Sequence, residues 1–278
     1  MKHLLVLAAS ALIVFSSSAQ FLYKDLLTVE AANQKHSIFK KEKVHSIEFI
    51  SFDGEGKPIE GFSSNQMVNK ASTEVATTTS TPLGAPTYSV GYYNSNAQLI
   101  KSFDTTDGSK TTVTYEYNAG GKLARILNIT VSAGDFKIKE EHLWSYGTDG
   151  SPVKMLKVKN DKDTTVVTFI KDEKGNIIEE RSTQKGKPLP TYYYYYDDAK
   201  RLTDVVRYNI AAKRLLPDYV MEYNEKGQLA TFMVVQEDGD YQKWYYSYDE
   251  DGLKALDACY SKSKVLIGKV EYNYKYWE

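Results

Sequence analysis

The sequence predicts an all-β protein, an antiparallel meander of stacked β-hairpin repeats, and three observations predict it. Aromatic and polar residues alternate with a period of two: Val113, Tyr115 and Tyr117 take one side of a strand, and Thr112, Thr114 and Glu116 the other. Trp244, Tyr246 and Tyr248 repeat the arrangement. Such runs lead into an Asn, Asp or Gly followed three residues on by a turn position that is most often Gly, the chemistry of a tight turn. These turn-opening residues, Asn94, Asn118, Gly147, Asp172, Asp197, Asn224 and Asp249, recur at separations of 24, 29, 25, 25, 27 and 25 residues, with Asp53 as an outlying first member. A period held this closely marks stacked repeats.

At the start of the chain, Lys2 and His3 precede a twelve-residue apolar run from Leu4 to Phe15, broken only by Ser10. Ser17-Ser18-Ala19 then supplies the small residues of a cleavage site. Residues 1–19 are read as a signal peptide, and the mature chain is expected to begin at Gln20 or Phe21. A membrane span takes about 20 apolar residues, so no transmembrane helix is expected. The lone cysteine, Cys259, lies far from the cleavage site, which excludes lipid attachment there.

Residues 20–62 form an N-terminal segment. Asp25–Gln34 has apolar residues three or four apart and predicts a helix of about three turns. From Val44 the spacing changes to alternation, and Phe52 to Ile59 reads as strand, turn and strand, the first degenerate repeat. Residues 63–87 are rich in Ser, Thr and Pro and predict a flexible insertion. The hairpin repeats occupy residues 88–278. Connections such as 159–163 and 236–240 are short and polar, so consecutive hairpins must be neighbours. About sixteen strands result, and because open sheets rarely exceed ~10 strands without curling, the expected form is a single curled or twisted sheet.

Tyr194-Tyr195-Tyr196-Asp197-Asp198-Ala199-Lys200-Arg201-Leu202-Thr203 resembles the YD repeat of the Rhs family, a Tyr-x-Tyr-Asp-x-x-Gly-Arg-Leu pattern. Tyr223 to Leu229 and Tyr248 to Gly252 are looser matches, and the resemblance covers roughly residues 88–260. It implies a β-hairpin sheet, which in large Rhs proteins coils into a hollow shell around a toxin. Eight units are few for such a shell, no toxin region follows them, and no self-cleavage motif ends the array. The toxin-delivery role is therefore not carried over, and the chain is more similar to a short secreted bacterial member of that kind.

The formal net charge is −1, and residues 20–278 hold 34 basic against 36 acidic side chains. The two signs are interleaved, which excludes the strongly basic face that nucleic-acid binding requires. One cysteine forbids an internal disulfide, and a large secreted eukaryotic domain would more often carry several. The chain reads as an exported bacterial envelope protein, periplasmic, on the outer surface or extracellular. Cys259, between Ala258 and Tyr260, reads as a small hydrophobe in a strand.

His36, His45 and His142 lack metal-ligand spacing and read as surface or sheet-edge residues. No nucleophile, zinc, phosphate-loop or dinucleotide motif is present. Glu179-Glu180 and Asp197-Asp198 are adjacent, so on a strand they face opposite sides and read as turn and surface charge. Asp249-Glu250-Asp251-Gly252 lacks the ligand spacing of a calcium loop. No cofactor, no metal and no enzymatic activity are expected.

Exposed aromatics carry the remaining functional signal. Rings in Tyr192 to Tyr196 must lie on both faces of a strand, and Trp244 with Tyr245 repeats that situation. Tyr193, Tyr195, Trp244 and Tyr245 are the candidate binding surface, a flat stacking platform for sugar rings or extended peptides. The leading expectation is a non-enzymatic binding or scaffold module whose specific role and partner the residues leave open, a cell-surface glycan and an envelope protein being the candidates; the alternative is glycan or cell-wall polymer binding through the exposed tyrosines. One rival is an outer-membrane barrel: Val270, Tyr272, Tyr274 and Tyr276 alternate with Lys269, Glu271, Asn273 and Lys275, although a lipid-facing band ~25 Å tall needs longer clean alternations. The other is a cell-wall hydrolase with an unrecognised site.

Overall fold

A computed structural model describes residues 21–278 apart from Leu83 and Asp107, with Ala133 described by its backbone. The expected signal peptide, residues 1–19, lies outside the described residues. Chain order gives α1 (Lys24–Lys41), β1 (Val44–Phe52), β2 (Ser63–Val68), β3 (Glu74–Ser80), β4 (Thr87–Tyr93), β5 (Leu99–Thr106) and β6 (Ser109–Tyr117). Next come β7 (Leu123–Val131), β8 (Lys137–Tyr146), β9 (Pro152–Lys159), β10 (Asp163–Lys171), β11 (Ile177–Gln184), the two-residue β12 (Lys187–Pro188) and β13 (Tyr192–Tyr196). The array ends with β14 (Leu202–Asn209), β15 (Arg214–Tyr223), β16 (Leu229–Val235), β17 (Tyr241–Tyr248), β18 (Lys254–Ser261) and β19 (Leu266–Tyr276).

Each hairpin is built on one turn. Asn118 shows the pattern: its N–H bonds to the Lys122 carbonyl, its carbonyl accepts the Gly121 N–H, and its Oδ1 accepts the N–H groups of Gly120 and Lys122. Asp53, Asn94, Asp197 and Asp249 open turns in the same way. The third position after the opener has positive φ, which favours Gly, as at Gly121 (φ 74°), although Ala97 and Lys200 also hold it.

The tyrosine that precedes an opener has a second task. The strand is bulged there, as at Ser145/Tyr146, Tyr195/Tyr196 and Glu222/Tyr223, and a bulge re-aims a side chain. Its hydroxyl then reaches back one hairpin: Tyr146 donates to the Leu123 carbonyl at 2.6 Å, Tyr196 to Ile177 at 2.7 Å and Tyr223 to Leu202 at 2.8 Å. The aliphatic residues that supply those carbonyls are themselves buried. The repeat motif thus joins successive hairpins as well as turning the chain.

The open, curled sheet expected from sequence is corrected by the strand pairing. β1 is hydrogen-bonded to β2 on one side and to β19 on the other, so the first and last strands are neighbours. With β12 counted in the β11–β13 connection, the described strands form a closed antiparallel β-barrel of eighteen strands. Closure removes the two unpaired edges that an open meander leaves. The expected insertion at residues 63–87 is also corrected. It holds β2, β3 and the start of β4, and its polar residues pair across strands, with Gln66 Nε2 donating to Thr77 Oγ1 at 2.8 Å.

Two compact units divide the described chain: residues 28–111 with 242–278, and residues 21–27 with 112–241. In the first unit, one strand face carries Ile47, Phe49, Val68, Val75 and Val270, and Phe39 of α1 packs into that cluster. The helix has eighteen residues rather than the ten predicted. Its last turns rest on packing of His36 and Phe39, both buried, and Lys40 and Lys41 suit the negative end of the helix dipole. In the second unit, residues 21–27 pack against a strand face that carries Trp144, Phe169, Tyr192, Tyr194 and Tyr219, all buried. Below, the face of each unit in contact with residues 21–41 is called the covered face, and the opposite one the open face.

Candidate functional site

The covered face of the second unit receives the N-terminal segment as a cleft receives a peptide. Phe21, 5 % exposed, sits among the rings of Tyr192, Tyr194 and Tyr219 at centroid distances of 6.2, 5.9 and 5.4 Å. Glu180 of β11, 1 % exposed, accepts the N–H of Leu22 at 2.9 Å, that of Tyr23 at 2.8 Å and the Tyr194 hydroxyl at 2.7 Å. Burial raises its pKa, and the three hydrogen bonds only partly offset this.

Asp25, in the first turn of α1, meets His142 of β8. The Asp25 carboxylate is 2.5 Å from His142 Nδ1, and Glu140 is 3.1 Å from Nε2. Because both ring nitrogens face carboxylate oxygens, both must donate, and the ring is an imidazolium. Burial alone would lower its pKa, but the charge and hydrogen bond of Asp25, with those of Glu140, raise it to about 9. Burial works against ionised Glu140 too, yet His142 and Lys157, whose Nζ is 3.0 Å away, bring it down to about 2. Asp25 and Glu140 touch opposite nitrogens, so the three groups do not converge on a point that a metal could occupy.

The covered face of the first unit works differently. His36 stacks on Tyr93 with centroids 3.7 Å apart, and its Nε2 lies 2.9 Å from the Ser72 carbonyl. A carbonyl only accepts, so Nε2 carries the proton; Nδ1 is buried without a hydrogen-bond partner among the described residues. Burial lowers this pKa against the Ser72 bond, and the ring is neutral. Gly91 leaves room for the stack, since a Cβ there would stand 3.2 Å from the Tyr93 ring. One residue before His36 in α1, burial and the charge of Lys254 lower Lys35 to about 8. Lys254 itself is 3.0 Å from Asp257, which also accepts the Tyr272 hydroxyl at 2.8 Å.

Of the sequence-predicted binding residues, the structure puts Tyr193 and Tyr195 on the open face of β13, with Tyr195 50 % exposed, while Tyr192 and Tyr194 point to the covered face. Register extends that surface: Tyr193 lies opposite Val206 in β14, and exposed Tyr208, two residues on, lies opposite exposed Leu215 in β15. In the first unit Tyr245 is exposed and packs edge-on against Tyr260. Trp244 is corrected: it packs against the Phe39 cluster on the covered face. The expectation of surface histidines is corrected as well, for His36 and His142 are buried.

Sequence reading missed Glu180. The Glu179-Glu180 pair does split across the strand, with Glu179 bonded to Arg181 at 2.9 Å, but period two cannot say which member faces inward. No local pattern singles it out: of its neighbours two residues away, Ile178 is apolar and Ser182 is polar. Cys259 is buried, and burial raises its thiol to about 12, so it is no thiolate at neutral pH. His142, held charged between two carboxylates, has no lone pair with which to take a proton.

No protein-family model matches the sequence, and no curated protein matches it either. Among solved structures, the chain is similar to a porin-like protein from Bacteroides uniformis, at 12 % identity and a TM-score of 0.39, over 84 % of this chain and 98 % of the other. A porin-like protein from Bacteroides vulgatus matches at 10 % identity and a TM-score of 0.27 over the same shares. The TcdB2–TccC3–Cdc42 structure matches at 12 % identity and a TM-score of 0.34 over 77 % of this chain, which spans 11 % of that one. These are distant likenesses, and the resemblance to YD repeats rests on the motif residues alone.

Proposed function

We propose that this protein is an exported, non-enzymatic binding module of the bacterial envelope, and that the open faces of its strands take a ring-bearing polymer, a cell-surface or cell-wall glycan. The division of the strand faces carries this reading. Residues 21–41 occupy the covered faces, where Glu180, His142 and His36 are engaged by the chain itself, whereas Tyr193, Tyr195 and Tyr208 present rings to solvent. Tyr193 and Tyr195 stand about 7 Å apart along one strand face, and flat aromatic surface of this kind stacks on the apolar faces of sugars. The test is retention of the mature chain on insoluble polysaccharides and peptidoglycan. Retention that disappears in a folded Tyr193→Ser, Tyr195→Ser variant supports the reading; no retention on any polymer sinks it.

A second reading, an outer-membrane barrel, is favoured by closure of an even-numbered antiparallel sheet. The open faces weigh against it, because they carry ion pairs such as Arg125–Glu116 at 2.5 Å and Lys269–Glu271 at 2.6 Å. Among the described residues no helix is long and apolar enough to cross a membrane, which says nothing of strands. Solubility of the mature chain without detergent separates the two readings.

A further inference from the structure

The strands of the second unit end differently at their two ends. At one end, the turns 172–176, 197–201 and 224–228 hold no large apolar residue. At the other, two neighbouring hairpin tips combine apolar and basic residues. Residues 185–191, β12 among them, connect β11 to β13, and residues 210–213 connect β14 to β15. Because β13 pairs with β14, with Tyr192 opposite Arg207, both tips lie at the same end of the sheet, about 10 Å apart at two strand spacings. Leu189 and Leu215 are exposed, and Ile210 is 84 % exposed, more than any other large apolar side chain among the described residues. Lys185, Lys187, Lys213 and Arg214 share these tips, all exposed, and neither 184–191 nor 208–215 contains an acidic residue. Lys185 is bonded to Asp163 at 2.9 Å. The next tip, 236–240, carries Glu237, Asp238 and Asp240 and bounds the patch on that side.

So local a separation of charge is unlike the rest of a chain whose two signs are interleaved, and apolar side chains held out in water gain nothing for the fold. A hairpin tip protrudes, so it enters a partner rather than receiving one. Leucine and isoleucine have no ring with which to stack on a nucleic-acid base. A bilayer with anionic headgroups matches both halves of the patch: cations meet the headgroup phosphates while aliphatic side chains reach the boundary of the acyl chains. We propose that the tips 185–190 and 210–215 are a membrane-contact site through which this protein rests on an anionic lipid surface, with Leu189 and Ile210 inserted and Lys187, Lys213 and Arg214 at the headgroups. The site goes beyond glycan binding and stands without it, since Tyr193 and Tyr195 lie on a strand face and Leu189 and Ile210 lie on the tips at its end. It also differs from a membrane-spanning barrel, because only the tips enter the lipid.

The test is sedimentation of the full chain, after export from a bacterial host, with vesicles of phosphatidylglycerol and phosphatidylcholine in equal parts, with vesicles of phosphatidylcholine alone, and without lipid. The protein is expected to sediment with the anionic vesicles only, and less so as salt is raised. A Leu189→Ser, Ile210→Ser variant should keep the thermal midpoint of the parent, because both residues are exposed, and should partition onto the anionic vesicles at least about tenfold less. Val153→Ser, at an exposed apolar position on β9, should partition like the parent. Lys187→Gln, Lys213→Gln, Arg214→Gln is a second arm, decisive should the first variant fail to fold, and is expected to lose the anionic vesicles too. Sedimentation without lipid, equal sedimentation with both kinds of vesicle, none with either, or full retention in either tip variant overturns the site. Loss in V153S as large as in the L189S, I210S protein overturns it as well.

Discussion

The two units hold one continuous N-terminal segment by opposite chemistry. In the first, α1 is seated by Phe39 in an apolar cluster and by a neutral His36 stacked on Tyr93. In the second, residues 21–25 are seated by a buried carboxylate and by an imidazolium between two acids. The contrast teaches that burial alone does not decide the charge of a histidine. His36 meets one carbonyl and stays neutral; His142 meets two carboxylates and stays charged. The two units should therefore fail at opposite ends of the pH scale.

The largest expected effect breaks the apolar side of the comparison. Phe39→Ala empties the centre of the first-unit cluster and should cost about 3–5 kcal/mol, read as a lower urea midpoint with the alkaline pH dependence intact. A loss under about 1 kcal/mol would show that the helix is held by something other than that cluster.

Next in size is His142→Gln. The folded pKa of His142, about 9, lies above the unfolded 6.5, so its stabilisation is complete below pH 6.5 and is lost as pH rises to 9. That span corresponds to about 3 kcal/mol. Wild-type midpoints should fall across this window, and the variant should be less stable at pH 6 and nearly flat above it. A variant as steep as wild type would place the titrating group elsewhere.

A smaller effect, of about 1 kcal/mol, tests His36. Its folded pKa is depressed, so the stability it contributes is present above pH 6.5 and is lost as pH falls through the folded value. His36→Gln should flatten the acid limb of the stability curve relative to wild type while leaving the alkaline limb alone, as measured by denaturant titration from pH 4 to 7. Smallest of all, the Tyr193→Ser, Tyr195→Ser pair lies on the open face and should change stability by no more than about 0.5 kcal/mol per site. A greater loss would mean that the open face carries part of the fold.

Turns and strand faces were legible because their physics is local. An Asn or Asp bonds to N–H groups two and four residues on, and alternation with period two follows from the pleat, so Asn118 and its counterparts announced the hairpins in any context. Local signals also misled. Ser64, Gln66 and Thr77 look like a soluble loop in a linear reading, but they are buried, with Ser64 bonded across the strands to Thr79 and Gln66 to Thr77. Alternation puts Tyr193 and Tyr195 on the face opposite Tyr192 and Tyr194, and Trp244 on the face opposite Tyr245, but nothing local distinguishes the face that meets a helix, which is the one Trp244 takes.

The sequence by itself determined an all-β array of hairpins, the position of each principal turn after residue 88, and the alternation that splits every strand into two faces. Only the tertiary structure decided that β1 meets β19, that α1 continues to Lys41, and that Glu180, His36 and His142 are core residues. The reason is the distance along the chain at which each decision is made. Leu22 and Glu180 are 158 residues apart, and Asp25 and His142 are 117 apart. A side chain's burial and charge are set by such partners, which no local period encodes.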